Sequence, residues 1–549
     1  MLNKTIEYIR FILFALLIII AFFLYQDWQN EHAIKTKSSE NNQVTINQNN
    51  YIPEIKQNNI VNNNLNKNIV RTNNNKIITV KTDLFNVNID TLGGNVTGVQ
   101  LLNYKKELNS SQPLVLLNNN PETKYIAQSG LLSNVGPDTS KEQAVYTSEK
   151  NNYVLDGTNN ELKVILNWSK NNINIQKIYT FNKNNYDIDL DYLITNNSNK
   201  KWDGNNYYQL TRTNNPPTNK KGFMNFATYF GAAISSPEKK FKKISFDDMK
   251  KNNLEQTING GWAAMIQHYF VTAWVPNQKS TSQYFSKVLA NNLYTVGIIG
   301  PNINVNPGDS IRTHAKLYAG PAIADQLEKA APSLKLTIDY GWFWFISGII
   351  FWMMHHIYNV IGNWGWSIVL VTMVIKILFY KLSAKSYRSM SSLKKLQPKI
   401  ASLKERFGSD KQKFTQATLE LYKKEKVNPM SGCLPILIQI PVFIGLYWVL
   451  IESVQLRHSP FIFWIHDLST KDPYYVLPVL MGLSMFLQQR LNPPPPDPIQ
   501  AKVMMFMPVV FTVLFVNFPA GLMLYWFVNN SLSFLQQWYI MRTLDNSKK

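Results

Sequence analysis

A lysine inside an apolar run is the residue with the plainest chemical consequence in this chain. Lys376 lies within the stretch Gly362 to Tyr380, five residues before Lys381. A charge at the centre of a membrane helix costs about 2.5–3.5 kcal/mol on insertion scales, so it usually marks a water-filled site or a partner. The competing reading is that Lys376 snorkels to the surface along its alkyl stem, and position alone leaves both open. Its neighbours favour the wet site. Thr372 and Lys376 are four residues apart and share a helix face, and Ser484 and Gln488 repeat that spacing in a later apolar run. Trp526, Asn530, Ser533 and Gln537 form one stripe in the last run, and Gln439 is the lone strongly polar residue of Cys433 to Ile451. A shared wet cavity explains these stripes economically. Polar helix–helix packing, worth about 0.6 kcal/mol per hydrogen bond, is the plainer alternative. No acidic residue accompanies Lys376 in these runs, which argues against a proton relay.

Other candidates carry less. Asp187, Asp189 and Asp191 suggest calcium or catalysis, but they alternate with Tyr186, Ile188, Leu190, Tyr192 and Ile194 and read as the wet face of a strand. His268 and His314 are the only histidines in residues 76–330 and have no evident carboxylate partner in the sequence. The seven histidines form no H-E-x-x-H, and no phosphate-cradling glycine loop precedes a helix, so zinc and nucleotide chemistry lack support. The single cysteine, Cys433, excludes an intramolecular disulfide and reads as a small buried residue beside Pro435. No cofactor is expected.

The elements that must position Lys376 follow from patterning. Of 549 residues, 45% are apolar and only 17% charged, with 56 Lys+Arg against 35 Asp+Glu for a net charge of +21. Residues 1–28 contain an unbroken apolar run from Phe11 to Tyr25 that exits through Gln26, Asp27 and Trp28 rather than small residues, so they read as an uncleaved membrane anchor. Residues 29–75 read as a flexible tether, since residues 41–75 include 15 Asn and few large apolar side chains. Period-two alternation over residues 76–335 predicts a large all-β sandwich. Its expected strands include a hairpin turning at Asn182 to Asn185, and Glu161 to Trp168, Lys243 to Phe246 and Thr295 to Ile299.

Residues 336–361 read as an interfacial amphipathic helix, because a spanning Gly341 to Met354 would place the basic loop that follows on the wrong side. That loop, residues 382–428, carries 12 Lys/Arg against 4 acidic residues and reads as a helical hairpin facing the cytoplasm. Its basic faces suit anionic lipid headgroups or ribosomal RNA. Residues 362–545 then hold five spans, six with the anchor, leaving both termini and a short tail, 546–549, in the cytoplasm and the sandwich outside. Tyr474 to Leu487 and Val503 to Phe518 are short against the roughly 20 residues a bilayer core needs, so they would thin the lipid around them.

Five motifs now carry a resemblance: Asn363-Trp364-Gly365-Trp366-Ser367, Leu396-Gln397-Pro398-Lys399-Ile400, Asn428-Pro429-Met430-Ser431-Gly432-Cys433-Leu434-Pro435, Trp464-Ile465-His466-Asp467-Leu468 and Phe518-Pro519-Ala520-Gly521-Leu522. In order and spacing they resemble the bacterial YidC family of membrane protein insertases, over about residues 340–545. The anchor and outer sandwich are similar to its long, Gram-negative form. The resemblance implies a groove open to cytoplasm and lipid, with a basic residue where this chain has Lys376 instead of the usual Arg. Lys keeps the charge and loses the bidentate fork. The family proline nearby is replaced by Lys381, and an aromatic, often Tyr, stands at Trp526.

The function so implied is a membrane protein insertase and chaperone, not an enzyme, in the inner membrane with its sandwich in the periplasm. It would act alone or with the Sec translocon and its accessory subunits, on nascent inner-membrane proteins, with the ribosome and anionic lipids as further partners. Lys376 is the groove charge; Thr372, Gln439, Gln488, Trp526, Asn530 and Ser533 line the groove; Leu437, Ile440, Phe443, Val510 and Leu514 form the slide by which apolar helices leave. The alternative is a membrane-tethered carbohydrate-binding or carbohydrate-active protein, which needs an acid/base pair in the sandwich.

Overall fold

A computed structural model of the chain describes residues 51–53, 76–139, 142–215, 228–407, 410–428, 434–493 and 498–546, all within one compact unit. The expected anchor, most of the tether, Cys433 and the tail beyond Asn546 lie outside these residues.

Strong period-two burial builds two facing sheets between Ile77 and Pro321. The strand Asp187–Asn196 shows why: Ile188, Leu190, Tyr192 and Ile194 are fully buried between the sheets. It pairs antiparallel with Ile173–Asn182 on one side and with Ser310–Pro321 on the other. Among the described residues one sheet has nine strands and the other ten. Trp202, Trp262, Trp274, Val296 and Leu317 belong to the core that fills the gap.

Three local expectations change. Lys243 to Phe246 is not one strand: the strand ends at Ile244, and Ser245 caps a helix, α1 (Phe246–Lys251), in a reciprocal capping box with Asp248. Asp187 is not on a wet face but is 4% exposed, because Lys316 across the strand pair bonds it at 3.0 Å. His314 does find carboxylates, with Asp191 at 3.0 Å and Asp189 at 3.8 Å. Together with Arg312–Asp191 these make an exposed cross-strand charge ladder, which stabilises pairing and needs no ligand.

The core also holds a charge. Lys177 is fully buried, its ammonium donating to the carbonyls of Gly93 and Ser129, both at 2.9 Å, with the rings of Tyr146, Tyr179 and Tyr192 within 5.8 Å. Burial pushes the Asp138 carboxyl up and the Lys177 ammonium down, and their attraction opposes both. Asp138 is satisfied by the N–H groups of Leu131 and Ala144, each at 3.0 Å.

After α2 (Ala324–Ala330) the period becomes helical. The helices are α3 (Trp344–Ile361), α4 (Trp364–Leu378), α5 (Tyr380–Lys395), α6 (Gln397–Phe407), α7 (Lys411–Lys424), α8 (Leu434–Glu452), α9 (Val476–Leu491), α10 (Pro498–Phe515) and α11 (Ala520–Asn546). Trp344, Phe345, Ile349 and Trp352 of α3 are exposed, and one side of it packs on α8 through Ser347, whose hydroxyl donates to Gly445 at 3.0 Å. The axis bends 68° between α4 and α5. Within the expected hairpin 382–428, only α6 and α7 pair in hairpin fashion. Asp410 caps α7, and Lys399 meets Glu425 at 2.6 Å. Helix α5 instead lies against α11, burying Ala384, Tyr387 and Met390 with Ile540.

The sandwich and helices are joined by specific contacts. Val454, just past α8, belongs to the sandwich core. Arg457 donates to the carbonyls of Lys105 and Lys106 at 2.8 and 3.0 Å. The His268 ring stacks on Tyr269, and its Nε2 lies 3.0 Å from the Ile451 carbonyl.

Candidate functional site

The end of the bundle nearest the sandwich is closed by three of the five motifs meeting one another. Asn363 caps α4, its side-chain oxygen accepting from the Trp366 amide at 3.1 Å, while its amide donates to the Phe461 carbonyl at 3.3 Å. Gly365 must lack a side chain, since a Cβ there would lie 2.0 Å from the Phe461 ring. Asp467 accepts from His458, Ser469 N and the Ser469 hydroxyl. The amides at the start of α11 then close the layer, Gly521 donating to Leu468 at 2.9 Å and Ala520 to Thr470 at 2.6 Å. Asp472, three residues before the N-cap Tyr475, accepts from Leu477 N in the first turn of α9 at 2.7 Å and from Trp464 Nε1 at 3.0 Å.

Helix α11 is the hub for the polar stripes. Lys376 of α4 donates to the Ser533 hydroxyl at 2.5 Å, and Ser533 donates to its own Asn529 carbonyl at 2.8 Å. Asn530 reaches Ser484 of α9 at 3.4 Å, and Gln537 reaches Asn492 at 2.9 Å. Gln439 of α8 interacts with the hydroxyl of Tyr525. Gln488 is half-buried on α9. Thr372 is buried and turns back on its own helix, bonding the Ile368 carbonyl at 2.7 Å. Direct packing therefore accounts for Asn530 and Gln537, and a local bond for Thr372. Lys376 is different: among the described residues no carboxylate pairs with it, and a single hydroxyl satisfies one of its three donors. Asn529, buried at this junction, was not among the expected residues. It lies three residues after Trp526 and four before Ser533, so helical spacing admits it as readily as Asn530.

Trp526 closes an aromatic cluster with Phe443, Phe511 and Phe515, at centroid distances of 4.6, 6.2 and 4.7 Å. The expected slide divides there. Leu437, Ile440 and Val510 are exposed at 49%, 41% and 53%, while Phe443 and Leu514 are partly buried against the core. The exposed three give the faces of α8 and α10 an unpartnered apolar surface on either side of the cluster.

A β-sandwich seated on a bundle of apolar helices, with one under-bonded lysine inside the bundle, defines a membrane protein with a large soluble domain. The comparisons agree. The YidC periplasmic domain family matches residues 77–353, and the 60Kd inner membrane protein family matches residues 356–548. The membrane protein insertase YidC of Nitrosococcus oceani is 44% identical over 98% of this chain and 99% of its own length. That of Pseudomonas entomophila is 47% identical over 86% of this chain and 84% of its own. A crystal structure of an active YidC insertase with its first transmembrane domain resolved aligns over 86% of this chain and 93% of that one, at 20% identity and a TM-score of 0.40. The chain belongs to the YidC family of membrane protein insertases. Its sandwich is the family's periplasmic domain, followed by the family's helical region.

Proposed function

We propose that this chain inserts inner-membrane proteins and helps them fold, without an energy source and without covalent catalysis, alone for small substrates and with the Sec translocon for larger ones. The observation that carries this reading is Lys376, a cation inside an apolar bundle held by one hydroxyl. Its remaining donors are available to attract and hydrate the acidic or polar tail of a substrate. Gln439, Gln488 and Trp526 line the path beside it; Asn530 and Ser533 brace its far wall, and Thr372 belongs to the packing behind it. The substrate's apolar helix leaves along Leu437, Ile440, Phe443, Val510 and Leu514, where transfer into lipid is favourable by roughly 25 cal/mol per Å2 of apolar surface taken from water.

In this reading α4, α8, α9, α10 and α11 cross the bilayer. The N-terminal apolar segment crosses as well, α3 lies in the outer interface on its exposed aromatic side, and both termini face the cytoplasm. The hairpin α6–α7 is the receiving surface for ribosome, anionic lipid or nascent chain. The test is insertion of a small, acidic-tailed, single-span substrate into vesicles holding only this protein. Lys376 and Lys376→Arg should insert it, and Lys376→Ala should lose at least tenfold in rate. Equal insertion by all three would sink the charge mechanism and leave bilayer thinning with the apolar slide.

A further inference from the structure

Three residues from the middle of the expected tether are packed on the sandwich. Ile52 is 8% exposed and Pro53 is buried, although they come from an asparagine-rich stretch. They rest on the face of the ten-stranded sheet that points away from its core. Four neighbouring strands build that face: Tyr125–Leu132, Trp202–Thr213, Leu293–Val305 and Thr281–Leu289. Alternation divides their residues. Tyr208, Leu210, Val296 and Ile298 face inward to the sandwich core, and Leu132, Tyr207, Ile299 and Phe285 face outward to form a separate cluster around Ile52.

The floor of this cluster is shaped by two strand glycines. A Cβ on Gly130 would lie 2.5 Å from the Tyr207 ring, and one on Gly297 would lie 2.6 Å from the Phe285 ring. The rings therefore lie down over bare backbone and leave a shallow apolar socket. A polar anchor stands at its edge. Gln209, fully buried, donates at 2.7 Å to the Tyr51 carbonyl and at 3.0 Å to Gln128, which in turn accepts from Thr211 at 3.0 Å. Gln209 is thus held in place to receive a main-chain carbonyl. The Lys287 ammonium lies 4.6 Å over the Tyr51 ring. Apolar floor, fixed main-chain donor and cation over an aromatic are the parts of a peptide site.

We propose that this socket is a binding site for an extended aromatic–aliphatic–proline peptide and that Tyr51-Ile52-Pro53 is its occupant in cis. The proline suits the role, since its fixed φ lowers the entropy of an extended docked chain. The consequence is a shorter leash. If residues 1–28 anchor the chain, the link from bilayer to sandwich is residues 29–50, with a root-mean-square reach of about 25 Å, against about 40 Å for all of 29–75.

The experiment uses the full chain with Cys433→Ser in lipid nanodiscs and a fluorescent peptide of residues 47–57. Ile52→Asp, which empties the socket, should bind the peptide saturably. The parent should bind it at least tenfold more weakly, because its own segment competes at an effective concentration on the order of millimolar. Adding Phe285→Arg to Ile52→Asp should abolish binding. Independently, Ile52→Cys with Ile299→Cys should form a disulfide under mild oxidation, and Ile52→Cys with Ile165→Cys, on the other sheet, should not. No peptide binding to Ile52→Asp, binding that ignores Phe285→Arg, or equal cross-linking of both cysteine pairs would overturn the proposal. Neither readout depends on insertion activity, so it stands or falls apart from the role of Lys376.

Discussion

Lys177 and Lys376 are both lysines taken out of water, one in the sandwich and one in the helical bundle, and their surroundings are opposite. Lys177 is fully buried, gives two hydrogen bonds to carbonyls, lies among three tyrosine rings and has Asp138 close enough to attract it. Lys376 is partly buried, with one hydroxyl for a partner. A charge whose donors are nearly all used holds its own domain together. In the function proposed above, a charge with donors to spare is held ready for something that arrives. The sandwich uses two of its lysine's three donors, and the bundle uses one.

Exchanging the roles by mutation should expose the difference most strongly at Lys177. Lys177→Met leaves the Gly93 and Ser129 carbonyls without their donor and Asp138 without its counter-charge, which costs about 3–5 kcal/mol. Denaturant unfolding followed by tryptophan fluorescence should show this loss, with Asp138→Asn restoring part of it, whereas Lys376→Met should leave the midpoint unchanged or raise it. Additive effects of Lys177→Met and Asp138→Asn would mean the two groups do not sense each other.

The junction between the two regions should respond to pH next. Burial pushes His268 down to about 4, with Arg457 lowering it further and the Ile451 carbonyl opposing. A released His268 titrates near 6.5, so between pH 6.5 and 4 the open form binds more protons and the docked form loses stability as pH falls. The full effect, at most about 3 kcal/mol, is present above pH 6.5 and gone below 4. Hydrogen exchange at residues 451–457, corrected for intrinsic rate, should lose protection on acidification, and His268→Gln should flatten that dependence. A pH profile unchanged by His268→Gln would place the sensitivity elsewhere.

How much of this was legible in the sequence divides along the same line. The hairpin at Ile173 to Asn196 and the helical runs after residue 340 follow from periodicity, because one-sided burial imposes it. Pairing across distant strands does not, which is why the partners of Asp187 and His314 were invisible until Ser310–Pro321 lay beside them. Lys376 and Ser533 were legible as residues on polar stripes, but their bond spans 157 positions and needed the fold. Tyr51-Ile52-Pro53 was hidden by composition, since it is one of several short apolar groups scattered among asparagines without a period. At the closed end, Gly365 was legible as part of a motif, and its reason is the Phe461 ring. Gly365→Ala should cost about 1–3 kcal/mol by overpacking, read as a lower denaturant midpoint with insertion by the surviving protein intact.

The smallest expected effect is the most discriminating for Lys376. Ser533→Ala removes the hydroxyl that Lys376 donates to; Ser533 also donates to its own Asn529 carbonyl and interacts with the Tyr387 hydroxyl, so Tyr387→Phe is the control for that second contact. If the ammonium acts by attracting substrate tails, losing this brace leaves the charge in place, and insertion should change by less than about threefold, the low end of the 0.5–1.5 kcal/mol of a typical hydrogen bond. The rate for an acidic-tailed substrate should still fall with added salt, as attraction between partly solvated charges does. In a Lys376→Ala background the same change should do nothing further. Insertion as badly damaged by Ser533→Ala as by Lys376→Ala would show instead that the bond itself is what matters. Lys376 would then be a structural lysine like Lys177, and the contrast between the two regions would lose its basis.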